Sequence, residues 1–205
     1  MRWIWLRHGE TEANTQGRYL GHSDSPLTPR GQAQIDQAAE QLLKTLTHTT
    51  GELTNPIKLY TSDLGRCVQT ATRIGARLNV VPVQVEALRE LYFGRWEGLT
   101  YEGIMRVDRE HAMDWYDNAW EVAPPGGETL RELGSRIDSW VDSVLLTADP
   151  ADTIIVISHG GPIRWFLSQY IRGDASAYWE ASAPQPGSCI QAEYDGQSWR
   201  LIEGI

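Results

Sequence analysis

Thr153-Ile154-Ile155-Val156-Ile157 is an unbroken run of β-branched residues that stops at Ser158-His159-Gly160-Gly161-Pro162. A strand with apolar side chains on both sides of its pleat needs both faces of its sheet covered, which is the situation of parallel sheets. Arg2 to Leu6 is a second short, mostly apolar segment and ends at Arg7-His8-Gly9; Ile57 to Tyr60 is a third and ends at Thr61-Ser62-Asp63. Val80 to Val85 reads as a further strand.

Helical patterns fill the intervals. Thr28-Pro29 supplies an N-cap and a proline at the first helical position, followed by Ile35, Ala38, Ala39, Leu42, Leu43 and Leu46 on one face. Val68, Ala71, Ile74 and Leu78 mark a second helix, with Arg66 in its first turn. Thr129-Leu130-Arg131-Glu132 matches a capping box and opens a third, and Ile163, Phe166, Leu167 and Ile171 mark a fourth. Strands alternating with helices predict an α/β fold, a three-layer α/β/α sandwich around a mostly parallel central sheet. Ile190 to Tyr194 and Trp199 to Ile202 add a terminal hairpin around Asp195-Gly196.

The 205 residues contain no repeat and no Pro/Gly/Ser linker, so residues 1–205 are expected to form one domain. Residues 91–127, rich in Trp, Tyr and Gly and weakly periodic, are assigned as an excursion with short helices. A net charge of −9 opposes nucleic-acid binding, and no apolar run approaches the roughly 20 residues of a membrane span. Cys67 and Cys189, far apart and outside any CxxC pair, suggest buried thiols in a reducing compartment. The N-terminus lacks the apolar stretch of a signal peptide, and a cytoplasmic location is expected.

Three strands end in reactive or anion-compatible residues: Arg7-His8, Ser62 with Arg66, and Ser158-His159. Ligands of open α/β sheets bind beyond the carboxyl ends of the strands, so these groups are expected to converge. Two guanidiniums, with a helix N-terminus beside Arg66, suit phosphate oxygens. Singly, a strand-terminal Arg is commonly solvated and a His beside Gly is commonly a turn residue; the joint placement is what favours a site. His22 is a secondary candidate for the pocket, while His48 and His111 read as surface or core residues.

Leu6-Arg7-His8-Gly9-Glu10-Thr11 resembles the signature of the histidine phosphatase superfamily, in its phosphoglycerate-mutase-like branch. Asn14, Gly21, Ser25-Pro26-Leu27-Thr28, Thr61-Ser62-Asp63-Leu64-Gly65-Arg66, Glu90 with Phe93-Gly94-Arg95-Trp96-Glu97-Gly98, Pro125-Gly126-Gly127-Glu128-Thr129 and Ser158-His159-Gly160-Gly161 match its further markers in order, over residues 2–170. The resemblance implies that His8 attacks phosphorus and becomes a phosphohistidine. It further implies that Arg7, Arg66 and His159 hold the phosphoryl oxygens, that Asn14, Gly21 and Gly160 contact substrate, and that Glu90 protonates the leaving alkoxide. Residues 91–127 would be the lid. No cofactor and no metal are needed, since phosphoryl transfer depends chiefly on positioning and charge. Without the resemblance, Glu86 and Glu97 remain alternatives to Glu90, which would pair with Arg89 or Arg95 at the surface.

Leu20 before Gly21 and the segments 17–22 and 93–97 resemble α-ribazole-phosphate phosphatases and small broad-specificity phosphatases more than mutases. The implied partner is a small-molecule phosphate ester, with α-ribazole 5′-phosphate a candidate; a cofactor-dependent phosphoglycerate mutase is the alternative, and a homodimer is left open. Tyr92, Phe93, Trp96, Tyr101, Trp115, Tyr116 and Trp120 either wall the pocket for a flat leaving group or pack the lid onto the sheet. Two other classes compete: a zinc hydrolase, disfavoured by the absence of HExxH or HxH spacing and by two arginines in the same pocket, and an idle phosphate-ligand binding protein, disfavoured because no marker is missing.

Overall fold

The alternation of strands and helices is realised around one sheet. The computed structural model describes residues 1–47 and 55–202. In chain order the elements are β1 (Arg2–Arg7), α1 (Glu12–Thr15), α2 (Pro29–Leu46), β2 (Ile57–Thr61), α3 (Gly65–Leu78), β3 (Val83–Gln84), α4 (Tyr101–Val107), α5 (Arg109–Asn118), α6 (Leu130–Thr147), β4 (Thr153–Ser158), α7 (Gly160–Phe166), β5 (Cys189–Tyr194) and β6 (Trp199–Ile202). The strands lie in the order β3-β2-β4-β1-β5-β6. Pairings from β3 through β1 are parallel, and β5 and β6 add antiparallel to the β1 edge.

Side chains alternate across the pleat and build two cores. Ile4, Leu6, Leu59, Ile155 and Ile157 meet Ile35, Leu42, Ile74 and Leu78 of α2 and α3 on one face. Trp3, Trp5, Ile154 and Val156 meet Leu133, Ile137 and Trp140 of α6 with Ile163 and Phe166 of α7 on the other. β4 is buried along its whole length, and each fully buried aliphatic side chain contributes about 1.5–3 kcal/mol relative to exposure. Thr28 caps α2 with Pro29 at its first position, and Thr129 with Glu132 forms the reciprocal capping box of α6.

Two elements are shorter than their sequence patterns. The strand expected over residues 80–85 is reduced to Val83–Gln84 at the sheet edge, because Pro82 has no N–H to donate and Val81 and Val83 face solvent. The helical pattern that follows His159 is α-helical only to Phe166, and Leu167–Ile171 continue it as a single wider π-type turn. The hairpin between β5 and β6 turns at Asp195-Gly196 as expected. His48 lies outside the described residues.

Candidate active site

Sheet register brings the two histidines together. β1 and β4 are parallel neighbours with Arg7 opposite Ser158, so His8 and His159 leave the sheet side by side, their ring centroids 5.2 Å apart. β2 flanks β4, and the Ser62 N–H donates to Ile157 O at 2.9 Å, which puts the start of α3 beside the same corner.

His8 is buried, and its Nδ1 lies 2.7 Å from Gly9 O. A carbonyl can only accept, so Nδ1 carries the proton and Nε2 keeps its lone pair. Burial, then the Arg66 charge, hold this imidazole well below its usual pKa, and the Arg7 charge adds to the effect. The ring is therefore neutral and nucleophilic at pH 7. Gly9 has no alternative here, since a Cβ would lie 2.6 Å from Gly31 O and 2.8 Å from Ile35 Cδ1.

Arg66 stands in the first turn of α3, as expected, and is almost wholly buried. Its Nε donates to His159 Nδ1 at 3.2 Å, Nη1 to Ser23 O at 2.8 Å and Asp24 Oδ1 at 3.4 Å, and Nη2 to Gly21 O at 2.7 Å and Leu20 O at 3.4 Å. The helix N-terminus expected to serve the anion is already taken: Asp24 accepts from the N–H groups of Gly65 at 2.6 Å and Arg66 at 3.2 Å. His159 accepts from Arg66 through Nδ1, so Nε2 carries the proton and donates to Ser62 Oγ at 2.9 Å. Both of its nitrogens thus have partners inside the protein and its ring packs on that of His8; the resemblance implies that it also holds phosphoryl oxygens. Burial and then the Arg66 charge keep it neutral as well. Ser62 serves His159, and the Cys67 thiol packs on the same ring, its pKa pushed far up by burial.

Arg7 differs from Arg66. Nη1 donates to Pro184 O at 3.2 Å, while Nε is buried with no hydrogen-bond partner among the described residues. Burial lowers its pKa, with Glu90 partly offsetting the effect. A buried guanidinium N–H without an acceptor is costly, and the Arg7 guanidinium borders the cavity.

Glu90 enters from the loop after β3. Oε1 accepts from Leu91 N–H at 2.8 Å, and the Gly161 N–H, 3.0 and 3.1 Å from the two carboxylate oxygens, ties the acid to the start of α7. Arg136 of α6 clamps the loop, donating to Ala87 O, Arg89 O and Glu90 O at 2.6–3.0 Å and forking onto Glu128. The alternative acids are otherwise occupied. Glu86 is exposed and pairs with Arg89, and Glu97 accepts from the N–H groups of His22 and Ser23.

These groups border a cavity of about 560 Å³ that also contains Asn14 and Gly160. The Asn14 carbonyl oxygen accepts from the Thr11 N–H and hydroxyl, leaving its NH₂ for the cavity. Gly21, expected to contact substrate, instead lies behind the lining: its carbonyl accepts from Arg66, and a Cβ would collide with Leu91 O and Glu97. His22 likewise supports the site from outside, stacked on Tyr92 with Nε2 3.1 Å from Glu90 O.

The aromatic residues divide. Phe93, Tyr101, Trp115 and Tyr116 wall the cavity, whereas Trp96 is buried with its Nε1 on Asp108 and Trp120 stacks on Trp165. Tyr19 joins the wall and its hydroxyl meets that of Tyr116 at 2.5 Å. Tyr178, Trp179 and Arg164, missed in the sequence, complete it. Arg164 was legible in principle, being one helical turn beyond Gly160 on the same face. Among the described residues no cluster of His, Cys, Asp and Glu is arranged to hold a metal ion, and no helix is long and apolar enough to cross a membrane.

A family model described as histidine phosphatase superfamily (branch 1) matches residues 3–203. The adenosylcobalamin/alpha-ribazole phosphatase of Escherichia coli K12 is 33% identical over 185 residues, covering 89% of this chain and 85% of that one. The glucosyl-3-phosphoglycerate phosphatase of Mycobacterium tuberculosis is 31% identical over 220 residues, covering 98% and 92%. A solved structure of a mycobacterial glucosyl-3-phosphoglycerate phosphatase with VO3 superposes with a TM-score of 0.84 at 27% identity, covering 98% of this chain and 96% of that chain.

Proposed function

The chain belongs to the histidine phosphatase superfamily, branch 1, as a phosphomonoesterase, and we propose that His8, Glu90 and Arg7 carry its chemistry while Arg66 and His159 hold His8 in its reactive state. The observation that carries this reading is the neutral His8 ring, with Nδ1–H committed to Gly9 O and a free Nε2 lone pair, beside the unpartnered Nε–H of Arg7.

Nε2 attacks phosphorus in line with the ester oxygen. The N–P bond forms as the P–O bond breaks, and Glu90, as general acid, gives a proton to the departing alkoxide. Glu90 then accepts a proton from the water that cleaves the phosphohistidine, releasing orthophosphate and restoring both groups. Arg7 supplies hydrogen bonds to the developing phosphoryl charge, and Asn14 adds its NH₂. Residues 91–127 form the wall over the site. The substrate is a small organic phosphate ester; the aromatic lining supports a flat leaving group such as that of α-ribazole 5′-phosphate. The −9 charge and the free thiols of Cys67 and Cys189 support a cytoplasmic setting without nucleic-acid partners.

The test is covalent trapping. Wild-type protein given labelled phosphate ester accumulates acid-labile, base-stable label, and His8→Ala accumulates none and releases no orthophosphate. Label that survives in His8→Ala, or turnover without it, refutes the assignment. Formation of 2-phosphoglycerate from 3-phosphoglycerate would place the chain among the mutases instead.

A further inference from the structure

Four arginines line the cavity, Arg7, Arg18, Arg66 and Arg164, against a single carboxylate, Glu90. A phosphate dianion accounts for two of those charges. Arg18 is committed elsewhere, its Nε on Gln16 Oε1 at 2.6 Å and Nη1 on Gly98 O at 2.5 Å. Arg164 is left. Its guanidinium lies over the Trp179 ring, 6.0 Å from the centroid, and has no carboxylate partner among the described residues.

Its backbone position is one helical turn past Gly160 on α7. A Cβ on Gly160 would sit 3.7 Å from Arg7 Cζ and 3.7 Å from Glu90 Oε2, at the phosphate end of the cavity. Four residues on, the Arg164 Cα lies about 6 Å farther along α7, and its side chain lines the same cavity beside Trp179. Beyond burial, Arg66 and Arg7 depress the pKa of His8, and Arg164 together with Arg66 lowers that of Arg7. The Tyr178 hydroxyl lies beside Glu90, 3.2 Å from where a Gly161 Cβ would be, and Tyr178 lines the cavity together with Arg164.

We infer that Arg164, with Trp179 beside it, is a specificity-determining residue that receives a second anionic group on the leaving group of the substrate. The ligand chemistry is a carboxylate or a second phosphate held a short carbon chain away from the scissile phosphorus. With the Trp179 ring centroid 6.0 Å away and no carboxylate on the guanidinium among the described residues, its donors are available for a charge-assisted hydrogen bond. The inference rests on the phosphatase reading and narrows its substrate class; an ester without a second charge, α-ribazole 5′-phosphate among them, would leave Arg164 unused.

Two matched pairs test it by kcat/KM: 3-phosphoglycerate against glycerol 3-phosphate, which differ in the carboxylate, and fructose 1,6-bisphosphate against fructose 6-phosphate, which differ in the second phosphate. In the wild type at least one pair differs by about tenfold or more, as expected for a hydrogen bond between charged groups, and the responding pair identifies the anion. Arg164→Gln brings that ratio close to one through KM, and Arg164→Lys restores part of it. Because each ratio is taken within one protein, general damage from the substitution cancels. Ratios near one in the wild type, or a ratio that survives Arg164→Gln, overturn the inference while p-nitrophenyl phosphate hydrolysis leaves the phosphatase reading standing. If no ester, p-nitrophenyl phosphate included, releases orthophosphate, both fall.

Discussion

Gly161→Ala isolates the position of the acid from its presence. Gly161 lies in the first turn of α7 without a positive φ, so the backbone tolerates alanine. The new Cβ, however, overlaps Glu90 Oε1 and lies 3.2 Å from Glu90 Cδ and 3.2 Å from Tyr178 Oη. Relief comes from swinging the carboxylate away by on the order of 1 Å, cheap for the end of a flexible side chain. That movement strains its hydrogen bonds with the Gly161 N–H. A catalytic group misplaced by about 1 Å costs on the order of 100-fold in rate, or about 2.7 kcal/mol of transition-state stabilisation. The assay compares kcat for glycerol 3-phosphate and p-nitrophenyl phosphate in the wild type and Gly161→Ala, with thermal unfolding alongside. The alkyl ester should slow about 100-fold while p-nitrophenyl phosphate, whose leaving group barely needs a proton, slows severalfold at most, and Tm moves little. Equal slowing of both esters at unchanged Tm would refute the placement of Glu90 as acid.

Two further outcomes follow from the burial of the site. His8 and His159 both have folded pKa values well below the ordinary 6.5, so on acidification the unfolded chain takes up protons first; the stability they confer is complete above pH 6.5 and is lost as pH falls below it, at up to about 1.4 kcal/mol per pH unit for each ring until its folded pKa is reached. Urea unfolding from pH 7 to pH 5 checks this, and a midpoint unaffected by His8→Gln and His159→Gln over that range would contradict it. Asp24→Ala removes the acceptor of the Gly65 and Arg66 N–H groups and the carboxylate beside Arg66, and should cost about 1 kcal/mol with a raised KM for every ester; an unchanged urea midpoint would show that the cap contributes nothing.

The layers of the fold were legible because the strands are buried on both faces: β4 could be read from five consecutive residues, and the helices on either side from their apolar spacing. β3 was overestimated because Val81 and Val83 have strand-like side chains at an edge that Pro82 cannot extend. At the site, residues that follow strands directly, Arg7, His8 and His159, were found because chain position and function coincide there. What the sequence could not convey was how hydrogen bonds are shared out. Asp24, in a turn 41 residues before Gly65, occupies the α3 N-terminus and so removes a predicted anion site. Gly21 reads as a contact for substrate, but its carbonyl is needed by Arg66. Arg164, Tyr178 and Trp179 carry no strand-end signal and are brought to the cavity by α7 and the turn after it.

That distribution gives the two strand-end arginines unequal parts. Arg66 donates in five directions to protein acceptors, so a phosphoryl oxygen can reach its N–H groups only by sharing them with loop 20–24 or His159. Its influence on the reaction is therefore a fixed positive charge, whose first effect is to keep His8 unprotonated. Arg7 has the opposite economy, with one donor on Pro184 O and a buried Nε–H lacking an acceptor. Leaving such a donor unmet costs about 1–3 kcal/mol. In the proposed mechanism, charge is thus built in at Arg66 before substrate binds, and Arg7 is the guanidinium with fewer protein acceptors to give up to the transferring group.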